Sequence, residues 1–227
     1  MKIAIIAAMA KELALLIPLL SSPQTTEING FTIYEGNIGQ TEVVMMQCGI
    51  GKVNAAMGAL TIIEHCTPDA VVNTGVAGGC NNVNVMDVVV GERVAYHDVW
   101  CGPESMRGAM MGLPQFFEGD KRLISCLPDD PTIVKGLIAS GDWFVDTREV
   151  LGRICDLYPD TKAVDMESAS IAHVCHLRGV PFLSLRVISD SPGASHDNTR
   201  QYNDFWTEAP QHTFEIVRQM IDAAGKL

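Results

Sequence analysis

The chain has 227 residues, 47% hydrophobic and 19% charged, which excludes intrinsic disorder. A chain of this length buries about 70% of the surface its unfolded state exposes, so one domain over residues 1–227 needs no disulfide or metal support. Its net charge of −11 creates a field that repels nucleic-acid backbones and anionic lipid, and neither is expected as a partner.

In chain order, apolar runs of strand length fall at Lys2–Ala7, Glu42–Gln47, Ala70–Thr74, Val85–Val90, Ile133–Ser140, Lys162–Val164 and Pro181–Ser189. Most are too uniformly apolar for strands with one wet face, so they predict strands covered on both sides. Helical patterns separate several of them, at Lys11–Leu19, Lys52–His65, Glu167–Leu177 and from Asn203 to Ala224. This alternation predicts an α/β sandwich around a mostly parallel sheet. The segment Asp98–Asp120 breaks the rhythm with four glycines, two prolines and three methionines. A loop of that length reads as a lid or an interface. No apolar run is long enough to span a membrane, and Lys11 and Glu12 interrupt the apolar N-terminal stretch that a signal peptide would need. The seven cysteines are scattered with no CxxC pair and read as small buried hydrophobes in a reducing, cytoplasmic setting.

Two glycine-rich segments follow strands. Cys48-Gly49-Ile50-Gly51-Lys52 opens a helix, as an anion-binding loop does, yet it fails both nucleotide motifs. Met46 and Val53 stand where a Walker loop needs Gly and Ser or Thr, and Asn54 stands where a dinucleotide fingerprint needs its third Gly. Asn73-Thr74-Gly75-Val76-Ala77-Gly78-Gly79 ends another apolar strand, at the kind of edge where open α/β sheets bind ligands. Either segment taken alone is equally an ordinary turn. Three carboxylates share that edge: Glu12 after the first strand, Glu167 at a strand-to-helix junction and Asp190 closing the last strand. Each alone could be a helix cap; three together point to a site. His173, Cys175 and His176 cannot share one helix face well, so no metal is expected there. Ser195-His196 lacks a nucleophile elbow, whereas Trp143 and Phe144 suit either core packing or a flat apolar ligand.

With these residues in view, the chain resembles the 5′-methylthioadenosine/S-adenosylhomocysteine nucleosidases of the nucleoside phosphorylase superfamily. The segments MKIAIIAAMAKE, CGIGKVNAA, NTGVAGG, VAYHD, IASGDWF, AVDMESASIAHVC and LRVISD occur in the family's order over nearly the whole length. The resemblance implies a three-layer α/β/α sandwich around a mixed sheet, a homodimer, no cofactor, no metal, and hydrolysis of the N-glycosidic bond of adenine nucleosides. It implies that Asp190 protonates adenine N7 from a desolvated pocket that raises its pKa, and that an ionised Glu12, supported by Arg186, activates water. It further implies that Glu167 binds the ribose hydroxyls beside Met166, that Phe144 stacks on adenine while the Val145 backbone reads its edge, and that Met9 and Ile50 line the pocket. Val76, Ala77 and Gly78 border the ribose and water region, with Val76 standing where many relatives have serine. Ser189 flanks the acid, and Tyr202 resembles an aromatic over the 5′ substituent.

Three rivals stay open at this stage. Phosphorolysis needs arginines around phosphate, and none occurs in Met9–Leu16 or Val72–Gly79. A hydrolase of another adenine or futalosine-type nucleoside would differ in its 5′ pocket. A catalytically silent nucleoside-binding protein would have little use for all three carboxylates.

Overall fold

A computed structural model describes residues 1–193, 198–208 and 214–227. The chain opens with strand β1 (Lys2–Ala7), helix α1 (Ala10–Leu16) extended by a 3₁₀ turn, the hairpin β2 (Ser21–Ile28) and β3 (Phe31–Ile38), then β4 (Thr41–Gln47) and helix α2 (Lys52–Cys66). There follow β5 (Ala70–Gly79), β6 (Val88–Tyr96), a two-residue β7 (Phe117–Glu118), the short α3 (Lys121–Ser125), β8 (Ile133–Ser140) and α4 (Arg148–Leu157). The last elements are β9 (Thr161–Asp165), α5 (Ser168–Arg178), β10 (Phe182–Asp190), α6 (Asn198–Glu208) and α7 (Glu215–Ala224).

Among the described residues these strands form one mixed sheet, and its pairing explains the uniformly apolar runs. Along β1, Ile3, Ile5 and Ala7 enter one core while Ala4 and Ile6 enter the other. A period of two with apolar residues at every position means that both faces are covered. Helices α2 and α5 lie over the first face; α1 and α7 cover the second; α4 packs Ile154 against Leu137, Ala139 and Val164. This is the three-layer α/β/α arrangement that the resemblance implies, but the sheet is not mostly parallel as the alternation predicts. Among the described residues five strand pairs are parallel and five antiparallel, because the β2–β3–β4 meander and the pairs β10–β6, β6–β7 and β5–β9 run antiparallel.

The sheet is more curved than the sequence suggests. Strands β5, β10, β6, β8 and β9 each pair with the next, and β9 returns to β5, so five strands close into a small barrel. The remaining path, β1, β4, β3 and β2, extends from β5 as an open wing. The closing pairs Gly78↔Val164 and Gly79↔Ala163 are antiparallel and bring the carboxyl ends of β5 and β9 together. Ser140↔Asp165 does the same for β8 and β9. The loops after β1, β4, β5, β8, β9 and β10 therefore gather in one place.

Several sequence expectations need correction. The glycine segment Asn73–Gly79 is strand, not turn, because β10 and β9 pair along it. The strand expected at Val85–Val90 begins at Val88, since Asn84 N–H donates to Asp87 Oδ2 at 2.8 Å and makes a turn there. The closing helix is two helices, and Pro210, a poor helix residue, falls between them in the sequence. The segment Asp98–Asp120 runs without regular structure until β7. Ser195-His196 lies outside the described residues.

Candidate active site

Each of the three carboxylates is placed by the end of a strand. β1 stops at Ala7, and Glu12 in the first turn of α1 folds back to accept the N–H groups of Ala8 (3.0 Å) and Met9 (2.8 Å) on Oε2. This is half of a capping box, and it aims the carboxylate at the strand end. Oε1 accepts the Val76 N–H of β5 at 2.9 Å. Glu167 stands at the N-cap of α5, directly after β9, and accepts the Gly51 N–H at 3.0 Å. Asp190 ends β10 just after a register shift, a bulge that re-aims the side chain, and accepts the Ser189 hydroxyl at 2.6 Å.

Behind them lies Arg186, fully buried at 0% exposure. Its Nη2 pairs with Asp165 Oδ2 at 2.5 Å and lies 3.6 Å from Glu167 Oε2, while Asn73 and Ser168 accept further hydrogen bonds. Its Nη1 is buried with no hydrogen-bond partner among the described residues. A Cβ on Gly75 would stand 2.7 Å from that Nη1 and 2.4 Å from Glu12 Oε1, and φ there is +155°. Only glycine lets the strand run past both charged groups at this distance.

Burial dominates the electrostatics. It raises the Glu12 carboxyl above its ordinary value, against the opposing pull of Arg186 and the backbone N–H groups. Burial, reinforced by Asp165 and opposed by Arg186, pushes Glu167 up to about 7. A carboxyl whose pKa is raised by folding is bound more tightly to its proton in the native state. Its contribution to stability is therefore present below about 4.5 and is lost as pH rises through about 7. Glu167→Gln should consequently lose less stability than the native protein between those pH values in urea titrations, and equal losses would count against this assignment.

These groups border a cleft of about 610 Å³ including its open mouth, a size suited to a small ligand. Met9, Ile50 and Met166 supply apolar wall; Val76, Ala77 and Gly78 supply the edge of β5; Phe144, Val145, Ser189 and Asp190 lie across from them with Tyr202. Phe144 meets Tyr202 edge to face at 6.0 Å, and the Tyr202 hydroxyl reaches Met9 Sδ at 3.3 Å. The cleft thus has an aromatic end and a carboxylate floor.

A family model described as the phosphorylase superfamily matches residues 2–222. A 5'-methylthioadenosine/S-adenosylhomocysteine nucleosidase of Glaesserella parasuis serovar 5 is 39% identical, over 98% of this chain and 99% of its own. The chain belongs to this nucleosidase family. The same family's enzyme from S. pneumoniae, solved with the transition-state inhibitor MT-ImmA, superposes with a TM-score of 0.92 at 36% identity, covering 98% of this chain and 99% of that one. The nucleosidase from Colwellia psychrerythraea 34H, solved with adenine, gives 0.91 at 32% identity over 99% and 96%.

As in the sequence reading of this nucleosidase family member, Glu12, Glu167, Asp190 and the apolar and aromatic residues named with them meet in one cleft. Arg186 is the exception: it stands behind the wall, reaching the site only through Glu12, Glu167 and Asp165. Trp143, read from sequence as suited to core or to a flat ligand, lines the cleft beside Phe144, whereas sequence reasoning passed over Asp165, Ala8 and Val164, although each lies within two positions of a residue it singled out. His173 stacks on Phe117 at 5.5 Å and meets the Tyr96 hydroxyl, so it belongs to an aromatic cluster away from the cleft. Among the described residues no helix is long and apolar enough to cross a membrane.

Proposed function

We propose that the chain, folded as one domain, hydrolyses the N-glycosidic bond of 5′-methylthioadenosine and S-adenosylhomocysteine and releases adenine and the 5′-substituted ribose. The observation that carries this reading is the convergence of Glu12, Glu167 and Asp190 in a cleft whose nearest cation, Arg186, is already paired with Asp165. Cleavage puts positive charge on the ribose and negative charge on the leaving adenine. Carboxylates beside the sugar stabilise the first, and an acid at the base neutralises the second.

In this reading Asp190 delivers its proton to adenine N7. Glu12 removes a proton from water, and its raised pKa makes it a stronger base than an exposed carboxylate. Arg186, behind the cleft wall, acts through its charge on Glu12 and favours the ionised form of that carboxylate. Glu167 accepts the ribose hydroxyls; Phe144 stacks on adenine; the Val145 backbone reads the base edge; Met9, Ile50, Met166 and the Val76–Gly78 edge enclose the sugar; Tyr202 borders the 5′ group.

Water rather than phosphate fits as the nucleophile. The N–H groups of Gly51 and Lys52, which open α2 and would hold an anion, are occupied by Glu167 and Asp142. A phosphate near Glu12 would face three further carboxylates, Asp165, Glu167 and Asp190, and no arginine lines the cleft among the described residues. Incubation of the purified protein with methylthioadenosine should release adenine and free methylthioribose at the same rate with and without phosphate. A sugar 1-phosphate would establish phosphorolysis; absence of turnover would leave a nucleoside-binding protein.

We also propose a homodimer acting in a cytoplasmic setting. Val53 and Met57 on α2 and Trp100, Met106 and Met111 in the 98–120 loop are exposed, and Ile50 at the cleft wall continues the α2 patch. Exposed apolar surface of this kind marks an interface. Light scattering at micromolar concentration should give twice the chain mass, and a fully active monomer would refute the assignment.

A further inference from the structure

Three charged side chains outside the cleft join the loops that form it. Asp98, after β6, accepts from Lys52 Nζ at 2.7 Å and from the Asp142 N–H at 2.9 Å on the same oxygen. Asp142, after β8, accepts the Lys52 N–H at 2.7 Å, and its second oxygen lies 4.0 Å from Lys52 Nζ. Lys52 and its neighbour Gly51 thus present two consecutive N–H groups, one held by Asp142 and the other by Glu167 of the cleft. The fit is close at both ends. A Cβ on Gly51, where φ is +91°, would stand 3.0 Å from Asp142 Oδ1, and one on Gly141 would stand 2.8 Å from Asp98 Cγ.

We propose that Lys52, Asp98 and Asp142 are a positioning clamp for the nucleosidase reaction. None of the three lines the cleft. The clamp fixes the adenine side, Phe144 and Val145, which follow Asp142, against the ribose side, Ile50 and Glu167, which flank or bind Gly51. A ligand spanning base and sugar needs both sides in register at once. This deepens the hydrolase reading and rests on it.

The two sides hold substrate and transition state alike, so loosening the clamp weakens binding more than chemistry. Asp142→Ala removes a charged acceptor from a backbone N–H and should raise KM for methylthioadenosine about tenfold with kcat changed less than about threefold. Asp142→Asn keeps an acceptor and should recover most of the loss. Because the Lys52–Asp98 pair is partly exposed, salt between about 0.05 M and about 1 M should raise the native KM. Lys52→Met should start with a raised KM and show little response to salt. Amide hydrogen exchange provides a readout independent of turnover: the Lys52 N–H should exchange faster in Asp142→Ala than in the native protein. An unchanged KM in Asp142→Ala, a native salt response in Lys52→Met, or an unchanged Lys52 exchange rate would each overturn the clamp. If the native protein releases no adenine, the hydrolase reading fails, and the exchange measurement still decides whether Asp142 holds the loop.

Discussion

Asp190→Asn is expected to lower turnover about 10²–10⁴-fold, the usual contribution of a general acid, with a much smaller change in ground-state affinity. Asparagine keeps the size of the side chain and an acceptor for the Ser189 hydroxyl, which lies 2.6 Å from Asp190. It cannot transfer a proton to the leaving base. Glu12→Gln should lose turnover by a similar factor for a different reason. Both Glu12 oxygens accept backbone N–H groups, from Ala8, Met9 and Val76, so one end of a glutamine amide must turn N–H against N–H. A neutral amide also takes no proton from water. A nucleoside with a better leaving base separates the roles, because such a base needs less protonation as the bond breaks. It should rescue Asp190→Asn more than Glu12→Gln in initial-rate measurements. Equal rescue, or near-native turnover in Asp190→Asn, would overturn the division of labour.

Arg186→Met is expected to cost about 3–5 kcal/mol of folding stability, the usual penalty for removing one partner from a buried ionic cluster. Arg186 is fully buried among Asp165, Glu167 and Glu12, and the variant leaves their negative charges to repel one another in a medium of low dielectric. Protonation relieves part of that repulsion, so the loss should be smaller near pH 5 than near pH 8. Adding Asp165→Asn to Arg186→Met should return some of the stability, since it removes the charge that Arg186 holds at 2.5 Å. Urea midpoints of the single and double variants at both pH values test this. A loss independent of pH and unaffected by the second substitution would mean that the arginine acts through packing alone.

Much of the architecture is legible in local pattern. β1 and β8 fall where the apolar runs place them, because a strand covered on both faces is apolar at every position and short. The β2–β3 hairpin escapes that reading because β2 is almost wholly exposed and carries no apolar alternation. Its signal was the turn: Asn29-Gly30, with φ of +51° and +81°, is the pair that a tight hairpin favours. Helix α4 was missed as well, although Thr147 caps it by accepting the Val150 N–H. The carboxylates were readable because strand ends can be recognised from sequence. Asp142 and Asp98 were not, since nothing near them in the chain points to Lys52.

By itself, the sequence determined the alternating elements, the acids at their ends and, through its ordered motifs, the family. The tertiary structure alone decided that β9 closes on β5, that Arg186 lies behind the cleft wall, and that Asp98 and Asp142 reach Lys52. The physical reason is one of range. Hydrophobic period and capping act over a few residues and leave their mark on the chain. Strand register and the burial of a charge depend on partners such as Phe182 and Val71 or Arg186 and Asn73, far apart in the chain, and those meet only when the sheet has formed.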